Sequence, residues 1–101
     1  MKIVTFNDID ESVLDSKHTV EHFQSGCSGG ADIAILDINT IFDYEENKHE
    51  ACSAKYVSIA IIDDDSDYDA FKNFGIDAWI KQEDLSDING LLNLIEKRYF
   101  S

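Results

Sequence analysis

Four stretches of this chain end an apolar run in polar side chains, most of them of the kind that can ligate metal ions. Asn7 and Asp8 follow Lys2–Phe6, and Asp37 closes the run from Ala31 to Leu36. Asp63 and Asp64 follow Val57–Ile62, and Lys81 and Gln82 end the run from Ala78. Oxygen ligands of this kind suit Mg²⁺, which takes one or two carboxylates and keeps several waters. Carboxylates held together raise one another's pKa unless a metal ion or an ammonium group such as Lys81 neutralises them. An aspartate at the end of a buried run also costs solvation unless something there uses it. Solvated strand ends carry polar residues in any case, and that plain explanation suits any single one of these positions. The recurrence at four separate segments favours a shared acidic pocket with a cation or an amide beside it.

The segments that position these residues read as strands alternating with helices. Ala31 to Leu36 is continuous Ile, Ala and Leu without polar alternation, the pattern of a strand buried on both faces of a parallel sheet. Lys2 to Phe6, Val57 to Ile62 and Ala78 to Lys81 read as further strands. His18 to Phe23 fits a short second strand, with Thr19 and Val20 β-branched; the alternative is a helix continuing to Phe23. The sheet therefore has four or five strands.

Asp10 is placed to cap a short helix bearing Val13 and Leu14. Gln24 to Gly30 reads as a loop, and Thr40 to Cys52 has helical spacing in Ile41, Tyr44, Lys48 and Cys52. Ser66 or Asp67 is placed to cap a short helix with Ala70, Phe71 and Phe74, which Gly75 terminates. Ser86 is placed to cap a last helix whose stripe is Ile88, Leu91, Leu92, Ile95 and Tyr99. This order predicts one α/β domain over residues 1–101, a small doubly wound parallel sheet with helices on both faces. In such sheets ligands gather beyond the carboxyl ends of the strands, where Asp37 stands.

Composition narrows the partners. The 101 residues carry 21 acidic and 8 basic side chains, a formal net charge of -13. Phosphate backbones and anionic membranes repel such a chain, so neither nucleic acid nor membrane is expected as a partner. Basic protein surfaces and divalent cations are the natural ones, although acidity also serves solubility alone. No apolar run approaches the roughly 20 residues of a membrane span. The chain opens directly in a strand pattern without a signal-peptide layout, and Cys27 and Cys52 are far apart. A cytoplasmic protein with free thiols is expected; a disulfide between Cys27 and Cys52 is the alternative.

With these residues in view, the chain resembles the receiver domains of two-component response regulators along nearly its whole length. Met1 to Asp8 is similar to the first receiver strand with its trailing acidic pair. Asp32-Ile33-Ala34-Ile35-Leu36-Asp37-Ile38-Asn39 is similar to the strand that ends in the phosphoacceptor aspartate. Gly75-Ile76-Asp77-Ala78-Trp79-Ile80 is similar to the run leading into the fifth strand. The resemblance implies a flavodoxin-like fold, Asp37 as phosphoacceptor, and Mg²⁺ held by Asp8, Asp37 and the backbone carbonyl of Asn39. Trp79 would be the switch aromatic, and a histidine kinase or a downstream regulator the protein partner.

The chain departs from that pattern where the chemistry is done. Asn7 replaces one carboxylate, and Gln82 stands at the position of the essential lysine, with Lys81 one residue early. A strand reverses face at each residue, so Lys81 points away unless a bulge intervenes. The hydroxyl residue expected after the fourth strand is replaced by Asp63 or Asp64, whose charge repels a phosphoryl group. Only 23 residues separate Asn7 from Ala31, which nearly deletes the second helix of the pattern. The expectation is an atypical receiver-like signalling module, not an enzyme, that acts through protein contacts on the face of the last strand and the final two helices. The alternative is a working single-domain regulator phosphorylated on Asp37 with Mg²⁺.

His18 and His22 with Cys27, His49 or Cys52 match no common zinc spacing, and surface histidines are the expectation. Tyr99 and Phe100 are expected to close the core; if exposed, they would mark a homodimer face.

Overall fold

The computed structural model describes residues 1–7, 9, 11–23 and 29–100. Five strands form one sheet: β1 (Lys2–Thr5), β2 (Thr19–His22), β3 (Ala31–Asp37), β4 (Cys52–Ile62) and β5 (Ala78–Lys81). Three helices follow the later strands: α1 (Ile41–Ala51), α2 (Asp65–Phe71) and α3 (Ile88–Tyr99). Short 3-10 segments occupy Glu11–Val13, Lys72–Phe74 and Gln82–Asp87. The strand order is β2-β1-β3-β4-β5, and every pairing is parallel. This is the doubly wound, flavodoxin-like arrangement, with its switch point between β1 and β3.

Period-two alternation splits the core between the two faces. Ile33 and Ile35 of β3 join Ile59 and Ile61 of β4 beneath Ile88, Leu92 and Ile95 of α3. Ala34 and Leu36 join Ala60 and Ile62 beneath Ile41 and Tyr44 of α1 and Phe71 of α2. Both faces are thus dry over Ile33–Leu36 of β3 and Val57–Ile62 of β4, which is why those stretches are almost wholly apolar. Tyr44 also ties α1 to β4 through Tyr56, with 2.8 Å between the two hydroxyls. Burial, then the Tyr56 hydrogen bond, pushes the Tyr44 phenol well above its usual range.

The short second strand expected over 18–23 forms as β2, so the sheet has five strands. Several other local expectations are revised. β4 begins at Cys52, five residues before Val57, because the chain passes from α1 into extended backbone without a loop. Its register against β3 shifts between Ala31 and Ile33, which accommodates Ser53 to Tyr56. The cap of α2 is Asp64. Ser86 caps nothing, because the 3-10 turn reaches Asp87 before α3 starts. Tyr99 is 60% exposed, in line with the α3 stripe but in the last turn of the helix, and does not close the core. His18 is a buried histidine and not a surface one, and Cys52 is buried. The cap at Asp10, the thiol of Cys27 and most of the 24–30 loop lie outside the described residues.

Gly75 ends the α2 segment in the left-handed region (φ 68°), as glycine does after a helix. Gly29 (φ 75°) has a second constraint: a Cβ there would sit 2.8 Å from the Glu50 carbonyl oxygen.

Candidate functional site

Because all strands are parallel, the ends of β1, β3, β4 and β5 share one edge of the sheet. The Phe6 N–H still donates to the Ile35 carbonyl at 2.8 Å, one residue beyond β1. That bond holds the parallel register and brings Asn7 level with Asp37 at the switch point. Asn7 is buried, 6% exposed, and its Oδ1 has no hydrogen-bond partner among the described residues. Asp8, the other member of the pair, lies outside the described residues.

Asp37 is half-buried, and its carboxylate serves the turn into α1. Asp37 Oδ1 accepts from the backbone N–H of Asn39 at 3.0 Å, from that of Thr40 at 3.1 Å and from the Thr40 hydroxyl at 3.0 Å. Thr40 Oγ1 in turn accepts from the Asp37 N–H at 3.0 Å. One carboxylate oxygen is therefore saturated by donors from its own loop, as in an Asx turn. Asn39 is exposed, and the bond to Asp37 is made by its N–H.

The β4 end behaves likewise. Asp64 Oδ1 accepts from the Ser66 N–H at 3.0 Å, while Asp67 Oδ2 accepts from the N–H groups of Asp63 and Asp64 at 3.2 and 3.3 Å. This is a reciprocal capping box that starts α2. Asp63 is exposed beside it.

Lys81 turns away, as its strand parity predicts. The β4–β5 register runs without a bulge to the pair Ile62 and Lys81, which puts Lys81 on the α2 side of the sheet. Its Nζ lies 3.1 Å from Asp65 Oδ1. That hydrogen bond, then the Asp65 charge, holds the ammonium above the usual lysine range. Gln82 is exposed at the start of the following 3-10 turn. Trp79 is half-buried and packs on Tyr68 of α2 with ring centroids 4.8 Å apart; its Nε1 is buried without a partner.

The edge is also electrostatically one-sided. Eight Lys and Arg residues are present in the chain. Lys2, Lys17, Lys48, Lys55, Lys97 and Arg98 lie at or near strand starts or in the last turns of helices, and Lys72 follows α2, where it pairs with Asp69. Lys81 ends β5, and the segments at the strand ends carry Asp37, Asp43, Asp63, Asp64, Asp65, Asp67, Glu83, Asp84 and Asp87. No group of three or more His, Cys, Asp or Glu side chains comes close enough to hold a metal ion among the described residues.

Sequence reasoning located the edge and missed what its side chains bind. The spacing Asp37-Ile38-Asn39-Thr40 was an available turn signal. It also missed two exposed aromatic side chains, Phe42 and Tyr68. Phe42 lies one position off the Ile41–Tyr44 stripe, which was the available clue. No helix is long and apolar enough to cross a membrane among the described residues. Comparisons of the chain with models of protein families, with curated proteins and with solved structures gave no match.

Proposed function

We propose that this chain is a receiver-like signalling module that works through protein contacts and has given up phosphorylation. The observation that carries this reading is the engagement of Lys81 by Asp65, away from Asp37. Phosphoryl transfer to an aspartate is mostly electrostatic positioning. An ammonium turned to the α2 side gives no such help to a group arriving at Asp37. The donors gathered on Asp37 Oδ1 support the same reading, because they give that carboxylate a structural task. So do the carboxylates of β4 and α2, which repel a phosphoryl group. The module is not an enzyme in this reading, and its partner is a regulator protein.

A second reading keeps Asp37 as a phosphoacceptor, with Mg²⁺ held by Asp8, Asp37 and Asn39 and phosphate supplied by a histidine kinase. The unpartnered Oδ1 of Asn7, level with Asp37, favours it.

Intact mass after incubation with acetyl phosphate and Mg²⁺ separates the two. No adduct on the folded native chain is expected. A single phosphoryl adduct, absent from Asp37→Asn, would replace the first reading with the second.

A further inference from the structure

Residues 12–18 lead from the first 3-10 segment into β2 and form a strap against α3. Polar bonds tie the strap to that helix. The Asp15 N–H donates to Asn89 Oδ1 at 2.8 Å, and Asn89 Nδ2 donates to the Val13 carbonyl at 2.9 Å. Lys17 Nζ donates to Asn93 Oδ1 at 3.0 Å and faces Glu96 at 4.0 Å. Leu14 is the strap's buried apolar side chain. β2, which follows, is an edge strand paired with β1 alone. Between the strap and β2 lies a recess of about 400 Å³, lined by Ser12, Leu14, Asp15, Ser16, His18 and Val20. The two elements are therefore not packed tightly on each other, and they belong to the weakly held part of the molecule.

His18 joins the strap to the start of the sheet. Its N–H donates to the Asp15 carbonyl at 3.1 Å, and the next residue, Thr19, donates its N–H to the Met1 carbonyl at 3.1 Å. The ring is buried, and Nδ1 accepts from the Met1 ammonium at 3.2 Å. A neutral imidazole with Nδ1 accepting carries its proton on Nε2. That nitrogen is buried with no acceptor among the described residues. The site is thus shaped for the neutral ring. A second proton would turn Nδ1 into a donor facing a donor, with two positive charges 3.2 Å apart. Burial disfavours the imidazolium most, and the Met1 ammonium and then Lys17 of the strap repel it. Asp15 of the strap and Glu96 of α3 oppose them more weakly.

We propose that His18 is a latch: its neutral ring holds the strap and β2 against β1 and α3, and protonation in mild acid releases them while the rest of the sheet stays folded. The freed ring reaches water through the recess beside it, where Asp15 and Ser16 stand. Release uncovers Leu14 and Val20 and leaves β1 as the edge of the sheet. Because β2 runs parallel to the other strands, its start lies at the end of the sheet away from Asp37. The latch therefore works whether or not Asp37 takes a phosphoryl group.

Amide exchange resolved by residue, on the full chain between about pH 7.5 and about pH 5, tests the latch. Protection factors remove the intrinsic pH dependence of exchange. The amides to follow are Asp15, His18, Thr19 and Phe23, whose N–H groups are bonded across this region. They are expected to be less protected than Ile33–Leu36 at every pH and insensitive to dilute urea, as local openings are. On acidification their protection is expected to fall several-fold, with a ceiling of about tenfold for one pH unit below 6.5. His18→Gln should abolish that fall. In the native chain itself the fall should begin near pH 6.5 and level off at the midpoint of the His18 ring signal, a check that needs no variant.

Protection equal to that of the core would show that strap and β2 do not open by themselves, and would overturn the latch. So would protection that ignores pH, or the same fall in a folded His18→Gln.

Discussion

Thr40 Oγ1 stands 3.0 Å from both Asp37 Oδ1 and the Asp37 backbone nitrogen, so the two residues lock each other across the turn between β3 and α1. This reciprocal pair starts a helix whose N-cap residue, Thr40, makes no side-chain cap bond of the ordinary kind. Asp37→Ala removes the acceptor for two N–H groups and a hydroxyl, and should cost about 2 kcal/mol. Asp37→Asn keeps an acceptor at Oδ1 and should cost about 0.5 kcal/mol. Thr40→Val should cost about 1 kcal/mol by stranding the Asp37 N–H. Urea denaturation of the three variants measures this ranking. Equal losses from Asn and Ala would show that the turn does not depend on the Asp37 oxygen.

The start of α2 offers a comparison within one run of aspartates. Asp64 caps the helix, while Ser66 is exposed and supplies only its backbone N–H to that cap. Asp64→Ala should therefore destabilise the chain by about 1 kcal/mol, and Ser66→Ala should be close to neutral. α2 buries a single side chain, Phe71, so loss of the cap should also raise amide exchange across residues 65–71 ahead of the rest of the molecule. Hydrogen exchange resolved by residue would detect it. Uniform loss of protection in every element would contradict this local role.

Legibility from sequence followed the physics of each element. The doubly wound sheet was readable because β3 and the second half of β4 are dry on both faces, and continuous Ile, Ala and Leu have few other uses. The shared edge followed, since parallel strands must end together. The outward turn of Lys81 was also readable, because side-chain parity along a strand is fixed and no bulge intervenes. The first half of β4 was not. Cys52 to Tyr56 follows α1 with no glycine or proline between them, and its residues are mostly exposed or half-buried, so neither a break nor an alternation marks the change. Nor could three successive aspartates reveal which one caps α2. That choice depends on where Asp67 reaches back to donors, a matter of three-dimensional geometry. The destination of the Asp37 carboxylate was hidden for a related reason. The same aspartate at a strand end can face a metal ion or close a turn, and only the position of Thr40 separates the two.

Lys81 and Asp65 allow a direct electrostatic check at the edge. The hydrogen bond to Asp65, followed by its charge, holds the Lys81 ammonium above the unperturbed value of 10.5; Glu83 and Asp84 contribute less. Asp65→Asn removes the charge and should bring the Lys81 titration back down. Asp84→Asn should move it less. A carbon-13 titration of the lysine ε-carbons follows both variants. A Lys81 midpoint indifferent to Asp65→Asn would mean that the pair does not persist in solution, and the argument from a diverted lysine would lose its footing.

His18 should make the fold sensitive to mild acid. It is 7% exposed, Nδ1 accepts from the Met1 amine at 3.2 Å, and Nε2 is buried without a partner. Burial is the main cause that lowers its pKa below 6.5, followed by the positive charges of the N-terminus and Lys17, against weaker opposition from Asp15 and Glu96. The unfolded chain therefore binds a proton at His18 at a higher pH than the folded chain does. Its stabilising contribution is fully present above the unfolded value, and falls as pH drops from about 6.5 toward the lowered folded value. Urea midpoints should decline between about pH 7 and pH 5.5, before most carboxylates titrate. His18→Gln, which cannot take up the proton, should flatten that slope whatever its effect on absolute stability. An unchanged slope in His18→Gln would assign the acid sensitivity to other groups and show that His18 accepts a proton as readily folded as unfolded.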